Sequence, residues 1–303
     1  MRIGKKLLVT MLMVFGSCLV LPGCGQDKKE ITVGGKNFTE QFMLAELAAD
    51  LLEQAGFDVT VKTGVGSSIA RKSLENGQFD LYYEYTGTAY TVYYSQSDQN
   101  IMTNSEKVYN WVKDKDSEKD LVWLEPVKFN NTYTLMMRKK EAKKMGLKTI
   151  SDLAAYQNDN PQDLIYGVDS EFWERPDGLQ KLMDVYGFSV PNDNVKKMSI
   201  GLTYKALKED QLDVAMGFST DGRIAAFGFV NLVDNKDFFP VYNPVPVVRK
   251  EVLDKYPEIK DILKPLSDKL NTDTMQKLNA EVDVQHKDEG KVAEDWLKEE
   301  GLI

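Results

Sequence analysis

Apolar positions along the chain switch repeatedly between a two-residue and a 3.6-residue period, and the switches predict the elements. Ile31-Thr32-Val33-Gly34 reads as a short buried strand. Asn37 is predicted to begin a helix, with Glu40 three residues on as capping-box partner. Apolar residues then recur at Leu44, Leu47, Ala48, Leu51, Leu52 and Ala55, a helical spacing that Gly56 stops. Phe57, Val59 and Val61 alternate as a strand, and the Gly-rich turn Gly64–Ser68 leads into a second helix ending near Gly77. Phe79–Tyr85 reads as the next strand. The order βαβαβ implies a mostly parallel sheet with helices on both faces.

The pattern restarts after a charged stretch at Lys113–Asp120. Strands are predicted at Tyr133–Met137, Leu164–Val168 and Leu212–Phe218. Helices are predicted from Ser151 through Tyr156, from Pro176 to Gly187, and over Thr203–Lys208. The tail from Pro257 to Leu302 is helix-rich, amphipathic and acidic, and no short-period repeat interrupts the chain. Two α/β units followed by a helical tail predict two lobes with a cleft between them, where ligands sit at the carboxyl ends of strands.

The first residues stand apart from this pattern. Arg2, Lys5 and Lys6 precede an apolar run from Leu7 to Leu21, which ends in Leu21-Pro22-Gly23-Cys24. This is the layout of a secretory signal over residues 1–23. Its ending resembles a bacterial lipobox, with Cys24 as the lipidated first mature residue and residues 24–30 as a polar tether. The alternative is an uncleaved N-terminal anchor. Either way, a body outside the cytoplasm is held at a membrane.

Composition narrows the function by exclusion. The chain has 303 residues, 38 Lys+Arg and 47 Asp+Glu, for a net charge of −9. Losing the three cations of residues 1–23 takes it to −12. That balance argues against a nucleic-acid partner and against a surface that grips anionic lipid. Two cysteines rule out a disulfide scaffold or a zinc ribbon, and a lipidated Cys24 leaves no thiol nucleophile. The single histidine, His286, disfavours a Ser-His-Asp hydrolase.

Asp114, Asp116, Glu118, Asp120 and Glu125 have some EF-hand spacing, but Lys119 stands where that loop needs glycine. A solvated acidic loop is the expectation, with no metal. Gly64-Val65-Gly66-Ser67-Ser68 lacks the third glycine of a dinucleotide fingerprint and reads as a tight turn whose amides face the cleft. No carboxylate pair sits in a recognisable catalytic setting, so neither a catalytic residue nor a cofactor is expected. The aromatics are more informative. Tyr85, Tyr133, Phe218 and Tyr242 all fall beside predicted strand ends and turns. Singly, each suits a core or a rim; together they can wall a cleft. An aromatic box suits a quaternary ammonium ion, which carries diffuse charge and donates no hydrogen bond.

These same segments resemble the substrate-binding proteins of osmoprotectant ABC importers, the glycine betaine/carnitine/choline-binding group. The resemblance rests on Val33-Gly34-Gly35-Lys36-Asn37-Phe38-Thr39-Glu40-Gln41, Glu84-Tyr85-Thr86-Gly87-Thr88, Asn131-Thr132-Tyr133 and Ser219-Thr220-Asp221-Gly222-Arg223. Phe238-Phe239-Pro240 and Leu278-Asn279-Ala280-Glu281-Val282 complete the set. It implies an α/β, two-lobed periplasmic-binding-protein fold of type II, with two mostly parallel sheets and two crossing hinge strands. Lobe I would comprise 31–130 and 242–303, and lobe II 131–241. It further implies that Tyr85, Tyr133, Phe218 and Tyr242 box a trimethylammonium group, although members usually carry tyrosine where Phe218 stands. Lys36, Thr88 and Arg175 match the positions that hold a ligand carboxylate. Other readings of two of these stay open: Lys36 facing solvent, and Arg175 paired with Glu171 or Glu174. Arg223 and Asp221 read as a structural ion pair beside the box.

The resulting expectation is a lipid-anchored, non-enzymatic receptor on the outer face of the cell membrane. It would capture a betaine, glycine betaine foremost, and deliver it to an ABC permease. A receptor for choline, carnitine or another trimethylammonium compound is the nearest alternative; a cell-envelope enzyme and a ligand-free structural lipoprotein are the more distant ones.

Overall fold

The computed structural model describes residues 29–303. The expected signal, its lipobox cysteine Cys24 and most of the tether lie outside the described residues. The first strand, β1 (Lys29–Lys36), starts two residues inside the segment read as tether, and Lys29 and Glu30 already pair with Phe57 and Asp58.

Two five-stranded sheets form the frame. The first contains β1, β2 (Phe57–Val65), β3 (Leu81–Tyr85), β4 (Leu121–Trp123) and β10 (Pro244–Arg249), in the order β2-β1-β3-β10-β4. The second contains β5 (Tyr133–Arg138), β6 (Tyr166–Val168), β7 (Val195–Lys197), β8 (Val214–Phe218) and β9 (Phe229–Asn231), in the order β7-β6-β8-β5-β9. Each sheet is mixed rather than mostly parallel. β1 runs parallel to β2 and β3, but β10 is antiparallel to β3 and β4. β6 runs parallel to β7 and β8, but β5 is antiparallel to β8 and β9. The reason lies in the connections: β5 and β10 are the strands by which the chain enters each sheet from the other one. A strand entering from the cleft side runs against the neighbours that point toward the cleft.

The two passages between sheets are bonded to each other. The Asn131 N–H donates to the Tyr242 carbonyl at 3.0 Å, and the Tyr242 N–H donates to Asn130 Oδ1 at 2.8 Å. Asn243 Nδ2 donates to the Phe129 carbonyl at 2.6 Å. Gly87 sits against this junction; a Cβ there would lie 2.8 Å from both the Tyr242 ring and the Val241 carbonyl.

The helix α1 (Thr39–Gln54) shows how one element is secured. It buries Met43, Leu44, Leu47, Ala48, Leu51 and Leu52. They join β1 and the helices Ile259–Lys269, Thr272–Asp283 and Glu289–Glu299 in one apolar cluster. Each buried Leu or Met contributes about 1.5–3 kcal/mol. The acidic tail thus packs its apolar faces onto α1.

Four local expectations change. Phe38, not Asn37, is the N-cap of α1, with no side-chain cap. The helix expected from Ser151 starts at Ile150 and is capped by Thr149, in a capping box with Asp152. The helix expected from Pro176 begins only at Leu179, after the N-cap Gly178, and runs to Tyr186; a separate short helix, Ser170–Glu174, precedes Arg175. The segment read as a solvated acidic loop, Asp114–Glu125, starts in the last turn of a helix, Ser105–Ser117, and runs on through β4; Asp116 in it is fully buried. Asp116 accepts both Nη groups of Arg71 at 2.6 Å and Trp123 Nε1 at 2.6 Å, so its charge is satisfied by internal donors.

Candidate functional site

Strand ends supply the site. Lys36 ends β1 and Tyr85 ends β3; Phe218 ends β8, and Tyr133 opens the antiparallel β5 directly opposite Phe218. Asp169 follows β6, and Ser67 opens α2 (Ser67–Glu75) just after β2. All therefore face the gap between the sheets, where they line one cavity. Thr88, Arg175 and Tyr242 line the same cavity, so all seven residues singled out for ligand contact share one space.

The aromatic wall is continuous. Tyr85 and Phe38 lie 6.0 Å apart by ring centroids, and Phe38 and Phe218 4.8 Å. Phe218 and Tyr133 follow at 5.1 Å, and Tyr133 meets Tyr242 edge-on at 5.6 Å. Phe38 is the ring that sequence reasoning missed. An aromatic at an N-cap, where Ser, Thr, Asp or Asn would bond the helix, was the available signal.

The cationic residues carry partners of their own. Lys36 is 2% exposed and its Nζ lies 2.5 Å from Glu84 Oε1, so it does not face solvent. Glu84 also accepts the hydroxyls of Tyr82 at 2.5 Å and Tyr93 at 2.7 Å. Arg175 forks onto Asp177 with Nε and Nη2, both at 2.7 Å. Its Nη1 donates to Glu171 at 3.0 Å, and Nη2 also reaches Thr88 Oγ1 at 3.3 Å. Asp177 further accepts Thr91 Oγ1 at 2.8 Å and Tyr242 Oη at 2.6 Å. Burial alone would raise the Asp177 carboxyl; the Arg175 guanidinium outweighs it and holds the group below its ordinary value. Glu171 behaves likewise, with Arg175 and Lys36 overcoming burial. At Asp169 burial wins: it pushes the carboxyl up to about 6, against the lowering effect of the Phe172 N–H and of Arg175. Its Oδ1 accepts the Phe172 N–H at 2.7 Å, and its Oδ2 has no hydrogen-bond partner among the described residues.

These bonds cross the gap. Arg175 and Asp177, beside the second sheet, hold Thr88 and Thr91 beside the first, and the Ser67 N–H donates to Glu171 Oε2 at 3.3 Å. The two halves are thus closed on each other. The turn Gly64–Ser68 presents this amide to the cleft, as its sequence predicts. Arg223 pairs with Asp221 and lies 3.3 Å from Asp283, beside the box rather than in it. Lys36 and Arg175 are therefore each matched by acids, and what they offer a ligand is spare donors rather than net positive charge. Among the described residues Lys36 uses one of its three N–H donors and Arg175 four of its five. The Thr88 hydroxyl, which accepts from Arg175, keeps its own proton to give. The described residues hold no group of three or more His, Cys, Asp or Glu that could bind a metal.

Comparison with known proteins places the chain in a family. Residues 29–299 match the family described as the substrate binding domain of ABC-type glycine betaine transport systems. The chain is 40% identical to the glycine-betaine-binding protein of Pseudomonas aeruginosa, over 95% of this chain and 93% of that one. It is 34% identical, over 99% of its length, to an ergothioneine transport permease/ergothioneine binding protein of Helicobacter pylori, of which it spans 53%. A solved structure described as a glycine betaine/carnitine/choline ABC transporter superposes with a TM-score of 0.73 at 33% identity, covering 90% of this chain and 99% of that one. The fold is that of type II periplasmic binding proteins. The chain belongs to the substrate-binding proteins of ABC importers for betaine-type solutes, a family of solute receptors rather than enzymes.

Proposed function

We propose that this protein captures a zwitterionic betaine, glycine betaine foremost, in the cavity between the sheets and carries it to its permease in the closed form. The observation that carries this reading is the meeting of five rings with the spare donors of Lys36, Thr88 and Arg175 on one cavity. The rings take the onium head, each contributing about 0.5–2 kcal/mol. The spare N–H and O–H groups take the carboxylate by charge-assisted hydrogen bonds. Because Glu84, Asp177 and Glu171 balance the two cations, discrimination against choline rests on leaving these donors unpaired, not on repulsion. Residues 31–130 with 242–303, and 131–241, are proposed as the two bodies that close. Cys24 is proposed as the lipid anchor on the extracytoplasmic face, so Cys24→Ser would release the protein from cells.

One observation favours a second reading. The open Oδ2 of Asp169 is a hydrogen-bond acceptor on the cavity wall that glycine betaine cannot use. A betaine bearing an added donor, such as ergothioneine with its ring N–H, or carnitine with its hydroxyl, would use it. Titration calorimetry with glycine betaine, carnitine, ergothioneine and choline decides between them. Tightest binding of glycine betaine supports the first reading; tightest binding of a donor-bearing betaine supports the second. No binding of any onium solute overturns both.

A further inference from the structure

Glu40 is a buried carboxyl to which neither the box nor the carboxylate donors assign a task. It sits in the first turn of α1, 2% exposed, where a capping-box glutamate would turn back to the N-cap backbone. Instead its carboxyl gathers donors from three other segments. Oε1 accepts Tyr85 Oη at 2.7 Å and Asn131 Nδ2 at 2.9 Å. Oε2 accepts Thr220 Oγ1 at 2.5 Å. Tyr85 is a box ring beside the first sheet, Asn131 lies in a passage between sheets, and Thr220 follows β8 of the second sheet. One side chain thus joins the first sheet's strand end, the passage and the second sheet's strand end.

We propose that Glu40 is a positioning residue for solute binding: it holds the Tyr85 box ring within its own half, closure adds the Thr220 hydroxyl from the other half and seals the carboxyl from water, and closure takes up a proton at Glu40. The inference rests on the solute-binding reading above. Glu40, Thr220, Asp221, Arg223 and Asn279 line a second, small cavity beside Phe38 and Phe218. Opening the halves withdraws Thr220 and admits water to Oε2.

The groups facing Glu40 set the sign. They are the Tyr85 phenol from β3, Asn131 from the passage, and Thr220 with the Asp221–Arg223 pair from the second half. From the helix Thr272–Asp283 come Asn279 and Asp283, the latter paired with Arg223 and accepting Thr39 Oγ1 at 2.8 Å. Lys36 Nζ lies 5.0 Å from the Tyr85 ring centroid and is itself paired with Glu84. Among the described residues no cation forms an ion pair with Glu40. Burial raises its carboxyl from 4.5 to about 7 in the closed form, against the lowering effect of its hydrogen bonds. Exposure on opening returns it to the ordinary carboxylate value. A group with a raised closed-form value favours closure below that value and loses the advantage as pH rises through it. Between 4.5 and 7 the closed form holds a proton that the open form has shed.

The test is titration calorimetry of glycine betaine into the intact soluble protein at pH 6, 7 and 8, in pairs of buffers that differ in ionisation enthalpy. Values of 4.5 open and 7 closed predict uptake of most of one proton at pH 6, and affinity about tenfold weaker at pH 8 than at pH 6. Asp169 and Asp283, both raised to about 6, titrate nearby, so Glu40's share is the part that disappears in Glu40→Gln. That variant is expected to bind with the pH dependence largely flattened. Wild-type binding without proton uptake and with equal affinity at pH 6 and 8 overturns the inference with no variant needed. Glu40→Gln keeping the wild-type proton count and slope overturns it too. Absence of any onium binding by wild type at every pH overturns the solute-binding reading, and this inference with it.

Discussion

Replacing Arg175 by alanine removes two things at once, and the geometry separates them. Arg175 is the only cation paired with Asp177 among the described residues, and Asp177 is 2% exposed. Truncating one partner of such a buried pair costs about 3–5 kcal/mol, because the other charge is stranded. Asp177 also accepts Thr91 and Tyr242, so the stranded charge sits where the halves meet, and closure suffers with any ligand. The second loss is the donor left for a carboxylate, about 1.5–3 kcal/mol for a charge-assisted bond. Arg175→Ala therefore weakens both glycine betaine and choline, glycine betaine more. Adding Asp177→Asn removes the stranded charge while keeping a side chain that can bond Thr91 and Tyr242. The double variant should recover most of the choline affinity and remain about tenfold or more weakened for glycine betaine. Calorimetric titration of wild type, both single variants and the double variant with both solutes reads this directly. Equal recovery for the two solutes refutes the carboxylate role and leaves Arg175 as a partner for Asp177 alone.

Other outcomes follow from the same contacts. Tyr133→Phe should cost little, because its ring supplies the contact, whereas Tyr85→Phe should weaken binding about fivefold or more by removing a donor to Glu40, read by titration. Phe38→Ala should weaken trimethylammonium ligands by about 1–2 kcal/mol, through the lost ring and the gap it leaves between Tyr85 and Phe218; an unchanged affinity would remove Phe38 from the box. Asp116→Ala takes the fork partner from the buried Arg71, leaving it Glu75 alone, and removes the acceptor of Trp123 Nε1; it should lower stability by about 3 kcal/mol in chemical denaturation, with solute affinity of the folded protein unchanged. Saturating solute should reduce the radius of gyration in small-angle scattering, as rigid halves close.

The parts of the fold set by local periodicity were legible. The strand ends that carry Tyr85, Tyr133 and Phe218 lie where alternation placed them, because a buried strand between glycine-rich turns has few other readings. The helix Ser105–Ser117 was not legible: only Val108, Val112 and Asp116 are buried in it, and a buried aspartate reads as a surface charge until Arg71 and Trp123 are brought to it by the fold. β10 was missed because prolines 244 and 246 break a strand pattern, which the junction with the passage tolerates. Without β10 the antiparallel half of the first sheet was invisible. Of the seven cavity-lining residues, the four aromatics were legible from their places beside strand ends and turns, and Lys36, Thr88 and Arg175 through the family resemblance, but their partners were not. Glu84 is 48 positions from Lys36, and Thr88 is 87 from Arg175; such pairings are products of the tertiary fold. Glu40 matched a capping box in sequence, and only the folded chain diverts it to Tyr85, Asn131 and Thr220.

The central claim is that rings in this cavity recognise a positive, methylated head. It is tested most directly by comparing glycine betaine with 3,3-dimethylbutanoate, which has the same shape and carboxylate but carbon in place of the cationic nitrogen. At about 0.5 kcal/mol for each of at least four rings, the lower limit for a cation over an aromatic face, glycine betaine should bind about thirtyfold tighter or more in calorimetric titration. Equal affinities would mean that the cavity reads shape and carboxylate alone, and would contradict the account.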